Sequence, residues 1–489
     1  MSHSNQQIFS NANNLTFHGG QFSNVQGDMH IHSAAAERYG LKLLLQNIAP
    51  GALHDAAERG DQPGCHENTR VAILKEIMDW LQDPNAREEF IYWLYGPAGS
   101  GKTSISQSIA EALAKLGLLA ASFFFWRSAT GRNTSDRFTA TIAYQLSRSI
   151  PTMADSLYTT IERDPIIFSK SLAIQLQALI IDPLKAALQC APPDETPERI
   201  IIIIDGLDEC SPAESQVELL GLLRTAVEEF QSIPFLCLVS SRPEYEIRST
   251  LSNLTSLGAL TTTLALGDNY QTNEDIKLYL TSKFNKIRDE HCRLGSKLPS
   301  PWPADHDVDY IVKKASGQFI FAATAMKFID DPRGNPVERL SIILGLSKPG
   351  LGQMPFDSLD ELYRTILASI TPDILPKVLD IFSLIILGPN IRLHEADVED
   401  IEALLTLDAR KTLIDMHALV DVPLPQDKHL IYFHHKSFED FLLDKSRSHE
   451  YYLDTTQAYP RLTRHFLHAL ENNNWKNDAY INEGFEYIF

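Results

Sequence analysis

Ile91-Tyr92-Trp93-Leu94-Tyr95-Gly96-Pro97-Ala98-Gly99-Ser100-Gly101-Lys102-Thr103-Ser104-Ile105-Ser106 is the stretch that decides the fold. Five apolar or aromatic residues lead into a glycine-rich turn, and a helical pattern follows. The turn matches GxxxxGK[ST] in full. Its glycines let the backbone fold back so that successive N–H groups point inward. The start of the next helix adds partial positive charge at the same place. Ile105, Ile109, Leu113 and Leu116 repeat on one face of that helix, and Gly117 marks its end. A chance glycine-rich turn would lack both flanks. The reading is a phosphate cradle made of Gly96, Pro97, Ala98, Gly99, Ser100, Gly101, Lys102 and Thr103. Lys102 would neutralise β- and γ-phosphates, and the Thr103 hydroxyl would bind Mg²⁺.

A second stretch answers the first. Ile200-Ile201-Ile202-Ile203-Ile204 runs into Asp205-Gly206-Leu207-Asp208-Glu209. Five isoleucines in a row read as a central strand buried on both faces. An acid at the carboxyl end of such a strand lies beside the nucleotide crevice of an open α/β sheet. Asp205 is therefore expected to hold Mg²⁺, through water. Asp208 or Glu209 would polarise the attacking water. A third run, Phe235 to Val239, ends in Ser240-Ser241-Arg242-Pro243. Arg242 reads either as a γ-phosphate sensor or as a surface arginine at a strand end.

Further apolar runs at Ala120 to Trp126 and Thr262 to Leu266 make five strands between residues 91 and 266. Helical stretches separate them, which predicts a buried parallel sheet. Helical stripes precede the sheet, at Leu41-Leu44-Leu45-Ile48 and Val71-Ile73-Leu74-Ile77-Trp80. After about 270 helices dominate, with a short strand pair at Ala418 to Val422 and Leu430 to His434. Residues 1–34 are rich in Asn, Gln, Ser, His and Gly and cannot build a core alone. They read as a disordered tail or as a segment pairing with copies of itself.

Bulk properties narrow the class. The 489 residues imply several domains. Lys and Arg total 43 against 63 Asp and Glu, so the formal charge is −20. That balance argues against a general binder of nucleic acid or anionic membrane. Five cysteines, none in a CxxC pair, fit reduced thiols and not a disulfide framework. No apolar run approaches the roughly 18 residues of a membrane span. The start has neither the basic nor the apolar part of a signal peptide. A cytoplasmic protein is the expectation.

With these elements in view, the chain resembles the NACHT-type STAND nucleoside triphosphatases, and most of all the nephrocystin-like NACHT proteins of fungi, which are related to NOD-like receptors. Asp205-Gly206-Leu207-Asp208-Glu209 fits that family's pattern, in which a small residue follows the magnesium aspartate. Phe123-Phe124-Phe125-Trp126-Arg127 resembles its second strand and arginine, and Thr141 to Leu146 the helix after it. Thr69-Arg70 resembles its linker near the adenine. Ala315-Ser316-Gly317-Gln318-Phe319 resembles a segment of its helical domain, without the proline that plant and apoptotic relatives carry there. His434-His435-Lys436-Ser437-Phe438-Glu439-Asp440-Phe441-Leu442 resembles its winged-helix motif. The resemblance makes His435 the histidine that reaches the β-phosphate of bound ADP.

The resemblance implies an α/β P-loop NTPase with a parallel sheet flanked by helices, then a helical domain and a winged-helix-like domain. The expected boundaries are 1–34 (tail or assembly segment), 35–85 (helical linker), 86–268 (NTPase core), 269–375 (helical), 376–460 (winged-helix-like) and 461–489 (C-terminal helix). It implies a signalling switch on ATP/ADP and Mg²⁺, in self/non-self recognition or immunity-like responses. A homo-oligomer on activation, an unidentified effector and slow hydrolysis go with that. Such proteins usually continue into a repeat array that senses a ligand, so a chain ending at Phe489 is expected to be a short member or a fragment. Two other functions remain open. One is a working ATPase of AAA+ type, though Gly206 interrupts the adjacent acidic pair usual there. The other is a scaffold that nucleotide merely stabilises.

Overall fold

Ile91–Tyr95 (β1), Leu119–Phe124 (β2), Ile200–Asp205 (β3), Phe235–Ser241 (β4) and Thr261–Ala265 (β5) form one sheet in the order β2-β3-β4-β1-β5, with every pairing parallel. The computed structural model describes residues 39–471, except 58–63, 84–88, 128, 191, 193–196, 231–234, 252–254, 267–271, 294–297, 332–333, 346–356, 369, 388–397, 406, 414, 417 and 423–430. The expected tail at 1–34, the loop joining the C-terminal strand pair and most of 461–489 lie outside the described residues.

All five sequence-read strands are present; β1 has the bounds read from sequence, and the other four differ by one or two residues at an end. Their near-continuous apolar runs follow from burial on both faces. Side chains alternate across a strand. Tyr92, Leu94, Ile201, Ile203, Leu236 and Leu238 therefore face one side, with Ile73, Ile77, Ile105, Ile109 and Leu113 from helices Val71–Gln82 and Lys102–Lys115. Ile91, Trp93, Ile200, Ile202, Ile204, Cys237 and Val239 face the other, against helices Phe138–Ser149, Asp182–Cys190 and Ala213–Glu229. Ile200, Ile201 and Ile203 are fully enclosed. Each such side chain stabilises the fold by roughly 1.5–3 kcal/mol. That fixes where β3 ends, and so where Asp205 stands.

Beyond β5 the chain is helical. Thr272–Arg293, Asp305–Ala315, Phe319–Ile329, Pro336–Gly345, Asp357–Leu367 and Leu375–Leu387 share one core with the C-terminal residues up to Leu462. Within it, Val420–Asp421 (β6) pairs antiparallel with Tyr432–Phe433 (β7), and helix Lys436–Leu442 follows at once. Phe382, Phe433, Phe438, Phe441 and Tyr363 pack edge-to-face or tilted behind this helix, with ring centroids 5.0 to 5.6 Å apart for Tyr363–Phe438, Tyr363–Phe441, Phe382–Phe433, Phe382–Phe438 and Phe433–Phe438. No helix among the described residues is long and apolar enough to cross a membrane.

Candidate functional site

The carboxyl ends of β1, β3 and β4 open at one edge, the place where ligands bind in open α/β sheets. The turn after β1 makes a tight loop. Gly99 and Gly101 have φ of +73° and +93°, where a side chain would be strained. Gly101 caps helix Lys102–Lys115 in this left-handed conformation. A Cβ on Gly99 would also collide with Ile320 of helix Phe319–Ile329. The Ile320 N–H donates to the Gly99 carbonyl at 3.4 Å, so the helical region lies directly on the loop.

Lys102 curls back, its Nζ donating to the Gly96 and Pro97 carbonyls at 2.9 and 3.0 Å. Burial pulls this ammonium down to about 8, against the pull of Asp208. Ala98, Gly99 and Ser100 are buried and Pro97 is exposed. The Ser100 hydroxyl is a buried polar atom with no hydrogen-bond partner in the structure. An orphaned buried hydroxyl in this loop fits a polyanion, which would supply the missing partner. Thr103 stands in the first turn of the helix and Asp205 ends β3, enclosed and hydrogen-bonded to the Ser240 hydroxyl. This donor pair fits a Mg²⁺ that takes its remaining ligands from phosphate and water.

Gly206, at φ +69°, turns the chain so that Leu207–Glu209 form a short 3₁₀ turn facing the loop. Asp208 accepts the Arg242 N–H at 3.0 Å and pairs with Arg242 Nε at 3.4 Å. Burial pushes its carboxyl up, but Lys436, Lys102 and Arg242 outweigh that and hold it below the usual range. Glu209 accepts the Arg127 N–H at 3.1 Å. Burial pushes Glu209 up to about 7, with Asp208 adding to the rise and Lys436 opposing it.

Helix Lys436–Leu442 brings the rest. Lys436 Nζ reaches Asp208 Oδ2 at 3.2 Å and the Asp208 carbonyl at 3.3 Å. Asp440 Oδ2 accepts from Arg242 Nη1 at 2.6 Å. Glu439 Oε1 lies 3.6 Å from Arg127 Nε. Trp126 packs edge-on against Tyr432 of β7, centroids 5.1 Å apart. His435 is the N-cap of this helix. Burial, then the charges of Arg242, Lys102 and Lys436, hold its ring neutral, down to about 3. Asp205, Asp208, Glu209, Arg242, Lys102 and His435, chosen from sequence, are thus gathered at one edge.

Sequence reasoning missed several neighbours. Lys436, Glu439 and Asp440 sat inside the quoted motif, but only their neighbour His435 was singled out. The Arg70 side chain, in the segment that resembles the linker near the adenine, donates to the Ser100 carbonyl at 2.9 Å and Thr272 Oγ1 at 3.0 Å, and lies 5.0 Å from the centre of the Phe319 ring. A charged residue next to a helix start gave no hint of a bond to a loop 30 residues away.

The family described as Nephrocystin 3, N-terminal, matches residues 69–242, from Thr69 through the phosphate loop to Arg242. No curated protein matches the chain. Among solved structures, the Walker-type ATPase of Pyrococcus abyssi is 12% identical with a TM-score of 0.36, over 76% of this chain and 96% of that one. A chain in the structure of Drosophila ORC bound to poly(dA/dT) DNA and Cdc6 is 11% identical with a TM-score of 0.26, over 94% of this chain and 71% of that one. The parallel sheet, the loop after β1 and the match over 69–242 make this chain a P-loop NTPase by fold, similar in that span to the nephrocystin 3 N-terminal family.

Proposed function

We propose that the chain is a nucleotide-dependent switch of the NACHT type, held closed by ADP and opened by exchange for ATP with Mg²⁺. One observation carries this reading. The groups suited to hydrolysis are engaged by helix Lys436–Leu442: Asp208 by Lys436, and Arg242 by Asp440. A site arranged for turnover would keep Arg242 free for the γ-phosphate and Asp208 or Glu209 free for water. Here the winged-helix-like region, residues 376–460, neutralises them.

In the open form Thr103 and Asp205 hold Mg²⁺, Lys102 and the loop N–H groups hold the phosphates, and Glu209 with Asp208 orients water for in-line attack. His435 and Lys436 are the latch on the closed form. Exchange moves the equilibrium only by the difference in affinity between the two forms. The open form exposes surface for a second copy of the chain.

The test uses the full chain, loaded with ADP or with a non-hydrolysable ATP analogue and Mg²⁺, and sized by light scattering. Monomer with ADP and larger assemblies with the analogue are expected. One size in both states would sink the switch. Unchanged nucleotide content in Lys102→Ala would sink the site itself.

A further inference from the structure

Behind His435 a line of buried hydroxyls runs into the helical region. The Ser437 backbone N–H donates to His435 Nδ1 at 3.0 Å. A backbone N–H cannot accept, so Nδ1 carries no proton. In the neutral ring the proton must then sit on Nε2. Ser437 Oγ lies 2.7 Å from the same Nδ1, and must be the donor there. Tyr363 Oη lies 2.7 Å from Ser437 Oγ, so its hydroxyl donates in turn. The direction is fixed from end to end: Tyr363 to Ser437 to His435.

The line is rigid. Tyr363 and Ser437 are each only 1% exposed. The Tyr363 ring is held by Phe438 and Phe441, at centroid distances of 5.0 and 5.3 Å. On the same helix, Asp360 accepts two bonds from Arg447, at 2.7 and 3.0 Å. Every donor in the line is thus set by the core of the helical region and not by the phosphate loop. The ring itself sits among Arg242, Lys102, Lys436 and Asp208, the charges of the candidate site.

We infer that Tyr363 and Ser437 are positioning residues that lock His435 as an Nε2–H donor, leaving that N–H as the ring's one donor to the phosphate of a bound nucleoside diphosphate. This rests on the reading of His435 as part of the latch. It adds that the latch is set from inside the helical region, and that it is a neutral donor and not a cation. A neutral N–H also adds no charge beside three cations already present.

The test measures ADP binding to the full chain by calorimetry for wild type, Tyr363→Phe, Ser437→Ala, His435→Ala and the doubles Tyr363→Phe/His435→Ala and Ser437→Ala/His435→Ala. Each of the first two singles should weaken ADP by about two- to tenfold, the worth of one enclosed hydrogen bond. Neither should add anything once His435 is gone, because both act through it. Losses of equal size in both backgrounds overturn the inference, since a merely structural role behaves so. The second measurement is nitrogen NMR of histidine-labelled wild type, with the His435 signal identified by its loss in His435→Ala. The Nε2–H pattern supports the lock, and an Nδ1–H or imidazolium pattern overturns it. If His435→Ala leaves ADP affinity unchanged, the latch reading fails, and the NMR result still decides the hydrogen-bond line alone.

Discussion

Lys436 Nζ and Asp208 Oδ2 lie 3.2 Å apart although 228 residues separate them, and their side chains are only 6% and 3% exposed. This pair joins helix Lys436–Leu442 to the acid that follows the β3 aspartate. Burial of that degree makes it costly to break from one side, because the remaining charge is stranded away from water.

Lys436→Met should therefore destabilise the nucleotide-free chain by about 1–3 kcal/mol, less than for a fully stranded charge because Arg242 still pairs with Asp208. Denaturant unfolding measures it. Lys436→Met/Asp208→Asn should recover part of the loss, since no charge is then left unpaired. Additive losses in the double variant would show that the two side chains do not depend on each other.

Asp440→Asn removes the anion that holds Arg242 Nη1 at 2.6 Å, in a pair with side chains 21% and 25% exposed. Such half-open pairs contribute about 0.5–1 kcal/mol, so release of a fluorescent ADP should quicken by about two- to fivefold. Stopped-flow displacement reads the rate. An unchanged rate would mean that helix Lys436–Leu442 does not govern nucleotide release.

The local half of this site was legible in the sequence, and the distant half was not. The loop from Gly96 to Thr103 and the β3 end at Asp205 are short-range patterns, each fixed by a buried apolar run and a turn beside it. A parallel sheet needed only that such runs recur between helical stretches, whereas the strand order β2-β3-β4-β1-β5 was not legible. The bond between Lys436 and Asp208 has no local signature, because a lysine at a helix start is an ordinary solvated residue. The bonds of Arg70 were hidden for the same reason: its partners Ser100 and Thr272 lie 30 and 202 residues away. Charge pairing across elements depends on packing that no single segment encodes.

Two titrating groups should tilt stability in opposite directions. Glu209 is pushed up to about 7 by burial, so between about 4.5 and 7 the folded chain binds more protons than the unfolded one. Its contribution is present in acid and lost as pH rises through about 7. His435 is held down to about 3 by burial and nearby cations, so between about 3 and 6.5 the unfolded chain binds more protons. Its contribution is present above 6.5 and lost as pH falls. Glu209→Gln should therefore gain on wild type in melting temperature from pH 5 to pH 8, and His435→Gln should gain on it from pH 8 to pH 5. Parallel curves for wild type and either variant would contradict the assignment for that group.

Arg70 offers the sharpest test of how the loop is held. Its guanidinium is enclosed, and it joins the phosphate-loop carbonyl of Ser100 to Thr272, while its backbone N–H donates to Asp275 at 3.0 Å. Burial lowers its pKa, yet Asp275 favours the charge, and the planar fork lets one side chain serve both partners. Arg70→Lys keeps the charge but cannot span two acceptors in different directions. Arg70→Ala leaves a buried carbonyl without a donor, at a cost of about 1–3 kcal/mol. Both variants should loosen the loop against the helical region, so ADP affinity should fall by about tenfold or more, with lysine rescuing only a small part. Calorimetry on the full chain checks it. If lysine restores full affinity, charge alone matters at this position and the two-acceptor geometry does not.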